Sequence, residues 1–299
     1  MYLRRKIDDY LTQWKNNENR YPLIIKGARQ IGKTESVKHF ADRNYESVVS
    51  INFALEKQFQ MILSDGYDVE NIIKNISLID PSKKFIANRT LIIFDELQEL
   101  PDIATSLKAF KLDGRFDVIC SGSLLGINYK KIHSNSVGYK TDYEMFSMDF
   151  EEFLWALDND TLMDFIRLCF QEKKPMGQVL HRKTMDYFRQ YLIVGGMPQA
   201  VKTYRDSHDF DQVDRVKRDI LELYRADIIK HAEGYQMKVA QIFDDIPAQL
   251  QKHDTKFKFS SLKKEARFRE YEDALFWLSD AMITNICYNS TAPNIGLKL

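Results

Sequence analysis

One stretch of the sequence decides the fold, Gly27-Ala28-Arg29-Gln30-Ile31-Gly32-Lys33-Thr34. It matches the pattern G-x-x-x-x-G-K-[ST], which a chain of this length contains by chance in roughly 1% of cases. The preceding residues, Leu23 to Ile25, are apolar like a short buried strand, and Glu35 to Phe40 begins a helical pattern. Because the motif requires a strand before it and a helix after it, we interpret the stretch as a phosphate-binding loop, or P-loop.

The chemistry of this loop follows from its residue types. Glycines at positions 27 and 32 permit backbone conformations that other residues avoid, so successive N–H groups can turn inward toward an anion at a positive helix end. Lys33 is expected to reach the β- and γ-phosphates of ATP, and the Thr34 hydroxyl is expected to hold Mg²⁺. The alternative, an ordinary glycine-rich turn, is disfavoured by the flanking strand and helix.

A second stretch, Thr90 to Glu96, is a continuous apolar run that ends in two carboxylates. Such a run is typical of a parallel strand buried on both faces, and ligands of open α/β sheets lie beyond the carboxyl ends of the strands. This is the Walker B pattern, so Asp95 is predicted to support Mg²⁺ and Glu96 to orient or polarise the attacking water. The alternative is that the two carboxylates cap the following helix.

A further strand is predicted from Phe116 to Ser121. In P-loop ATPases with adjacent Walker B Asp and Glu residues, the next strand usually carries a polar sensor for the γ-phosphate. Ser121 or Ser123 occupies that place, and the sequence does not choose between them. The alternative for either residue is a serine in a tight turn.

Composition restricts the classes of function. Forty-three basic residues balance 43 acidic ones among 299 residues, which argues against strong non-specific nucleic-acid binding over the whole surface but leaves room for a local patch. Three widely separated cysteines match no metal spacing and suggest reduced thiols, hence a cytoplasmic protein. No run of 18 apolar residues is present, so no association with a membrane is expected.

Three domains are predicted in chain order. Residues 1–148 form an α/β P-loop ATPase domain with a parallel sheet flanked by helices and an edge strand at 143–148. Residues 149–235 form a helical domain, interrupted at 173–177 and at Gly195-Gly196-Met197-Pro198. Residues 236–299 contain three helical patterns and a predicted strand at 282–288, which together suggest a winged-helix-like domain.

The charge of the last predicted domain is divided. Basic residues are in excess over 251–270, whereas the helix that would enter a DNA groove carries Glu270, Glu272, Asp273 and Asp280. Acidic groups repel phosphates, so a module that packs against the ATPase domain is favoured over a DNA-binding module, and both remain open.

With these motifs in view, the chain resembles a prokaryotic AAA-type ATPase family of the AAA+ superfamily, whose members carry a C-terminal domain of unknown function. The resemblance depends on motifs along most of the chain: GARQIGKT at 27–34, FDELQ at 94–98, SGSLLG at 121–126, DFEEFL at 149–154, GGMP at 195–198 and YRADIIK at 224–230. Members usually continue past a segment like 292–299 into a further domain, so this chain is expected to stop short of that domain.

The resemblance implies roles residue by residue. Lys33 and Thr34 would bind phosphates and Mg²⁺, Asp95 would support the metal, and Glu96 would be catalytic. Typical AAA proteins use Asn as the sensor, where this chain offers Ser. The resemblance identifies no arginine finger; the candidates are Arg29, Arg115 and Arg225.

Two functional hypotheses follow. The first is a Mg²⁺-dependent ATPase that acts as a conformational switch, hydrolyses ATP slowly in isolation and assembles into a homo-oligomer. The second is an ATP-gated module that binds DNA or a protein partner with little or no hydrolysis.

Overall fold

The computed structural model describes residues 2–123, 138–252, 257–263 and 267–287. The chain divides into two compact units, Met1–Ala226 and Asp227–Leu299, which are described separately. The domain boundaries predicted after residues 148 and 235 remain predictions. Among the helices of the described ranges, none combines the length and apolar composition that a membrane span requires.

The first unit is built on a five-stranded sheet. Its strands are β1 (Leu23–Lys26), β2 (Ser47–Asn52), β3 (Thr90–Asp95), β4 (Asp117–Gly122) and β5 (Thr141–Glu144). Their order across the sheet is β2-β3-β4-β1-β5, and every neighbouring pair is parallel. The predicted parallel α/β fold is therefore confirmed, and all five carboxyl ends lie along one edge of the sheet.

Helices flank the sheet and then continue along the chain. The first four are α1 (Lys6–Asn16), α2 (Lys33–Asn44), α3 (Val69–Ile79) and α4 (Ile103–Asp113). After β5 come α5 (Phe150–Ala156), α6 (Asp160–Glu172), α7 (Gln178–Val194), α8 (Pro198–Ser207) and α9 (Phe210–His231). Short 3-10 turns lie at Lys57–Met61 and Leu97–Glu99.

The main core lies around β3, all six residues of which are buried. Phe94 stacks on Phe53 of the chain after β2, with ring centroids 5.6 Å apart, and meets Phe110 of α4 edge-on at 6.2 Å. Burying an aromatic or aliphatic side chain contributes about 1.5–3 kcal/mol each. The strand that leads to the acidic pair is thus buried along its whole length, which gives Asp95 a rigid support.

A smaller core joins α5 to α8, where Phe153, Val194 and Val201 are fully buried. The turn at 195–196 fits tightly here: the Gly196 carbonyl accepts a hydrogen bond from the Met148 N–H at 2.7 Å. A Cβ at position 196 would lie 2.1 Å from the Met148 carbonyl oxygen. Glycine is therefore required by the close backbone contact, and the motif GGMP works as a structural turn.

The edge strand differs from its prediction. The sequence predicts it over 143–148, but β5 ends at Glu144. The reason is the competition for backbone donors: the Met145 N–H still donates to the Lys26 carbonyl, whereas the Met148 N–H donates to Gly196. The chain therefore leaves the sheet after Met145 and turns toward α5.

The second unit contains α10 (Gln236–Gln251), a 3-10 turn (Phe259–Ser261) and α11 (Phe268–Asp280). The strand predicted over 282–288 is wrong as far as Cys287, because residues 282–287 form a turn and irregular chain. The Ile283 and Thr284 N–H groups donate to the Leu278 carbonyl and close the end of α11, so they are used in a helix cap rather than a strand ladder. The winged-helix interpretation remains a prediction, and residue 288 onward lies outside the described residues.

Candidate nucleotide-binding site

The P-loop joins the end of β1 to the start of α2. Gly32 caps α2 with a φ of 92°, in the left-handed region that favours glycine. Gly27 is needed for a different reason, because a Cβ there would lie 2.5 Å from the Met145 carbonyl oxygen. The two glycines thus allow the loop to fold back over the sheet edge and leave the first amides of α2 directed toward an anion.

Lys33 lies inside this loop and is only 8% exposed. Its ammonium donates to the carbonyl oxygens of Gly27 at 2.9 Å and Ala28 at 2.7 Å. Burial lowers the pKa of Lys33 to about 8, against the opposing effect of the negative charges of Glu96 and Asp95. The side chain therefore remains mostly protonated at neutral pH, and phosphate oxygens can replace the two carbonyls that it now contacts.

Asp95 is the centre of a polar cluster at the ends of the strands. One carboxylate oxygen accepts hydrogen bonds from the Thr34 hydroxyl at 3.1 Å and the Asn52 amide at 3.2 Å. The other accepts from the Ser121 hydroxyl at 2.5 Å. Because β4 lies between β1 and β3, Ser121 sits between the loop and the acidic pair. Three predicted residues are thus brought together, and Asn52, whose only sequence signal is its place at the end of an apolar strand, joins them.

The donor set suits magnesium. A hydroxyl and a carboxylate are hard oxygen ligands, and Mg²⁺ is usually held by one or two protein ligands together with substrate phosphates and water. Thr34 and Asp95 already lie within hydrogen-bonding distance of each other. They would hold a magnesium ion against the phosphates, where the ion would neutralise part of the phosphate charge.

Glu96 follows Asp95 in a sharp turn with a φ of 56°, unusual for a residue other than glycine. Its N–H donates to the Asp95 carboxylate at 3.1 Å, and its own carboxylate accepts a hydrogen bond from the Gln98 amide. Neighbouring side chains on a strand point to opposite faces of the sheet. Because Glu96 adopts the left-handed conformation, the chain turns there and brings the carboxylates of Asp95 and Glu96 to the same edge of the sheet. Gln98 was not singled out from the sequence beyond its place in FDELQ.

The two sensor candidates, Ser121 and Ser123, differ in the hydrogen bonds that their hydroxyls make. Ser121 donates to Asp95, as described above, whereas Ser123 is 2% exposed and its hydroxyl has no hydrogen-bond partner among the described residues. A buried polar group without a partner is costly and calls for an explanation. Of the two candidates, Ser123 is thus the one whose hydroxyl has no partner in the described part of the chain, directly after β4. Leu124 to Gly126, the rest of that motif, lie outside the described residues.

Arg5 is a residue that the sequence interpretation missed. The residue is 4% exposed, and its guanidinium donates to the carbonyl oxygens of Ile31 in the P-loop, at 2.6 Å, and Phe146, at 2.7 Å. Its Nε donates to the Glu152 carboxylate at 3.0 Å. The only signal was the DFEEFL motif itself, since Glu152 lies within it. One side chain therefore ties the phosphate loop to the start of the helical segment.

We expect the substitution Arg5→Met to lower the free energy of unfolding by about 3 kcal/mol, because it leaves a buried carboxylate without its charged partner. The value lies at the low end of the range since Glu152 keeps the N–H groups of Lys6 and Asp149 as donors. Urea denaturation measures the change. The matched control is Arg189→Met, because Arg189 pairs with Asp186 where both side chains are 65% exposed, and exposed pairs contribute about 0–1 kcal/mol. Equal effects of the two substitutions would contradict the role given to Arg5.

A cleft of about 300 Å³ opens beside Gly32. Its walls come from three parts of the chain: Tyr2, Leu3 and Arg5, the residues around the start of α2, and the beginning of α8 as far as Lys202. Pro198, the first residue of α8, lies 3.6 Å from the place that a Cβ on Gly32 would occupy. The phosphate loop is therefore bordered by the helical segment as well as by the sheet.

The arginine-finger candidates are spread over the first unit. Arg115 precedes β4, at the end of that strand away from the P-loop, and binds Asp113 and Glu70 at 2.7 and 2.6 Å. Arg225 pairs with Glu222 at 2.7 Å within α9. The neighbouring Tyr224 hydroxyl donates to the Arg29 carbonyl at 2.8 Å and so contacts the P-loop. Arg115 is the one candidate that the fold clearly separates from the site.

Comparison with known families agrees with this geometry. A parallel five-stranded sheet flanked by helices, with a P-loop after β1, is the fold of AAA-type P-loop ATPases. Residues 19–154 match the family model described as an AAA domain. Residues 185–299 match the model of a domain of unknown function, DUF8612. The resemblance implies a C-terminal domain of unknown function and places it beyond residue 299. The matched domain lies within the chain and covers the predicted helical domain from residue 185 onward and the whole predicted winged-helix-like domain.

Several solved structures share a partial likeness. DnaA from Aquifex aeolicus with AMPPCP bound is 10% identical, with 95% of this chain and 91% of that chain covered and a TM-score of 0.39. Drosophila ORC bound to DNA is 13% identical, with 94% and 81% covered and a TM-score of 0.37. PCH-2 of C. elegans is 13% identical, with 69% of this chain but only 63% of that chain covered and a TM-score of 0.37. No curated protein matches the chain.

Proposed function

We propose that this protein binds ATP together with Mg²⁺ and hydrolyses it slowly, using the exchange of ATP for ADP as a conformational switch. The observation that carries the proposal is the Asp95 cluster. A buried carboxylate at the end of the central strand is bonded to the last residue of the P-loop motif, beside a buried lysine. This arrangement matches the phosphate and metal chemistry of a P-loop site, and the AAA-domain match over 19–154 supports it.

Each residue of the site is assigned a separate role in hydrolysis. Phosphoryl transfer depends on positioning and charge neutralisation rather than on covalent chemistry by the protein. Loop amides and Lys33 would bind the phosphates, Thr34 and Asp95 would hold the metal, and Glu96 would accept a hydrogen bond from the attacking water. The Ser123 hydroxyl, which has no hydrogen-bond partner among the described residues, is our choice for the γ-phosphate contact, because Ser121 is already bonded to Asp95.

Slow turnover is expected of the isolated chain. An arginine finger is worth about 10³–10⁵ in rate, and the arginine beside Gly32, Arg5, is already bound to two carbonyls and Glu152. We therefore propose that a stabilising arginine comes from a second copy of the chain or from a protein partner. Faster hydrolysis per chain at higher protein concentration would support this assembly.

Magnesium-dependent binding tests the proposal. Calorimetric titration with a non-hydrolysable ATP analogue should show tighter binding with Mg²⁺ than with EDTA. Thr34→Val keeps the shape of the side chain but removes the hydroxyl, so the advantage of adding Mg²⁺ should largely disappear. Thr12→Val is the matched control, since the Thr12 hydroxyl bonds the Asp8 carbonyl within α1. If well-folded wild-type protein shows no binding heat with the analogue and Mg²⁺, the proposal is wrong.

A further inference from the structure

The carboxylate of Glu96 is held in one orientation by two features of the turn after β3. The backbone of Glu96 is in the left-handed region, and the next residues form the 3-10 turn Leu97–Glu99, closed by the Glu99 N–H on the Glu96 carbonyl at 2.9 Å. Within this turn the Gln98 Nε2 donates to Glu96 Oε2. One carboxylate oxygen is thus engaged by Gln98.

The burial of Gln98 is unusual for its residue type. The side chain is 8% exposed, and its Oε1 is buried without a hydrogen-bond partner among the described residues. An ionised carboxylate can only accept hydrogen bonds, so the NH₂ end of the amide must face Glu96. Within the described residues, the hydrogen bond to Glu96 is therefore the polar contact that the Gln98 amide makes.

Packing does not account for an amide at this position. A methionine has similar length and would fill the same space without leaving a buried carbonyl oxygen unsatisfied, and unsatisfied polar atoms oppose folding. A residue that costs stability in this way is best explained by its effect on the group that it binds.

We propose that Gln98 is a positioning residue for Glu96. By holding Oε2, it leaves Oε1 as the oxygen that accepts the hydrogen bond from the attacking water. In the reaction, the water oxygen bonds to the γ-phosphorus, the bond from that phosphorus to the bridging oxygen breaks with its electron pair passing to ADP, and the water proton moves toward Oε1 and on to the released phosphate. This inference rests on the proposed ATPase function and adds a residue to its mechanism.

The substitution Gln98→Met separates this role from packing. It should lower kcat about 10- to 100-fold, the scale of loss when a catalytic group is misplaced, while KM, analogue affinity and Tm stay close to wild type. Gln60→Met is the matched control, because the Gln60 amide bonds a backbone carbonyl, that of Phe53, at 3.2 Å. In single-turnover experiments Glu96→Gln with Gln98→Met should be no slower than Glu96→Gln alone, since Gln98 acts through Glu96.

The outcomes are distinguishable. Wild-type hydrolysis matched by Gln98→Met overturns the inference and leaves the proposed function intact. A joint fall in kcat, analogue affinity and Tm shows that Gln98 is a packing residue, which also overturns it. Wild-type protein that binds no magnesium ATP overturns the proposed function and the inference together.

Discussion

Glu96→Gln is expected to lower kcat for ATP hydrolysis by about 10²–10⁴-fold, the contribution typical of a general base, while the affinity for magnesium ATP stays close to wild type. The amide has nearly the shape of the carboxylate but cannot accept the proton of the attacking water. Asp95, Thr34 and Lys33, which are expected to hold the metal and phosphates, are untouched by the change. The variant would therefore bind magnesium ATP but hydrolyse it very slowly.

Two measurements establish this result. Phosphate release under multiple turnover gives kcat, and calorimetry with ATP itself gives the affinity, which is possible because the variant does not consume its ligand. Glu99→Gln is the matched control, since Glu99 lies three residues further along in the same 3-10 turn. If Glu96→Gln hydrolyses ATP at the parental rate, Glu96 is not the catalytic residue.

Lys33→Ala should weaken magnesium ATP binding by about 100-fold, because hydrogen bonds from a charged group contribute about 1.5–3 kcal/mol and the ammonium lies in a nearly water-free loop. The affinity, rather than kcat alone, should change, since the phosphates are bound before hydrolysis begins. The variant also leaves the Gly27 and Ala28 carbonyls without the donor that they have now.

Lys38→Ala serves as the control for Lys33→Ala, because Lys38 lies on the exposed face of the same helix. Thermal unfolding of both variants without nucleotide shows whether the P-loop survives the loss of the ammonium. Equal ATP affinity of the two variants, both folded, would mean that Lys33 does not bind the phosphates.

Features encoded in contiguous residues could be predicted from the sequence. The P-loop is eight consecutive residues between a strand and a helix. Strand β3 is recognisable in the sequence as an unbroken apolar run before two carboxylates. Both signals are local, because strand and helix patterns repeat every two and about 3.6 residues. The strand predicted over 282–288 is wrong as far as Cys287, because strand formation depends on residues elsewhere in the chain. An apolar, β-branched segment becomes a strand only beside a partner strand, and Ile283 and Thr284 instead close a helix end.

The parts that converge from distant positions were decided only by the tertiary structure. Ser121 meets Asp95 because β4 is inserted between β1 and β3, whereas the Ser123 hydroxyl has no partner within the described ranges. Arg5 reaches Glu152 across 147 positions of the chain and also bonds the P-loop carbonyl of Ile31. Sequence periodicity carries no information on which distant side chains will share one buried volume, since strand order and close packing settle that choice.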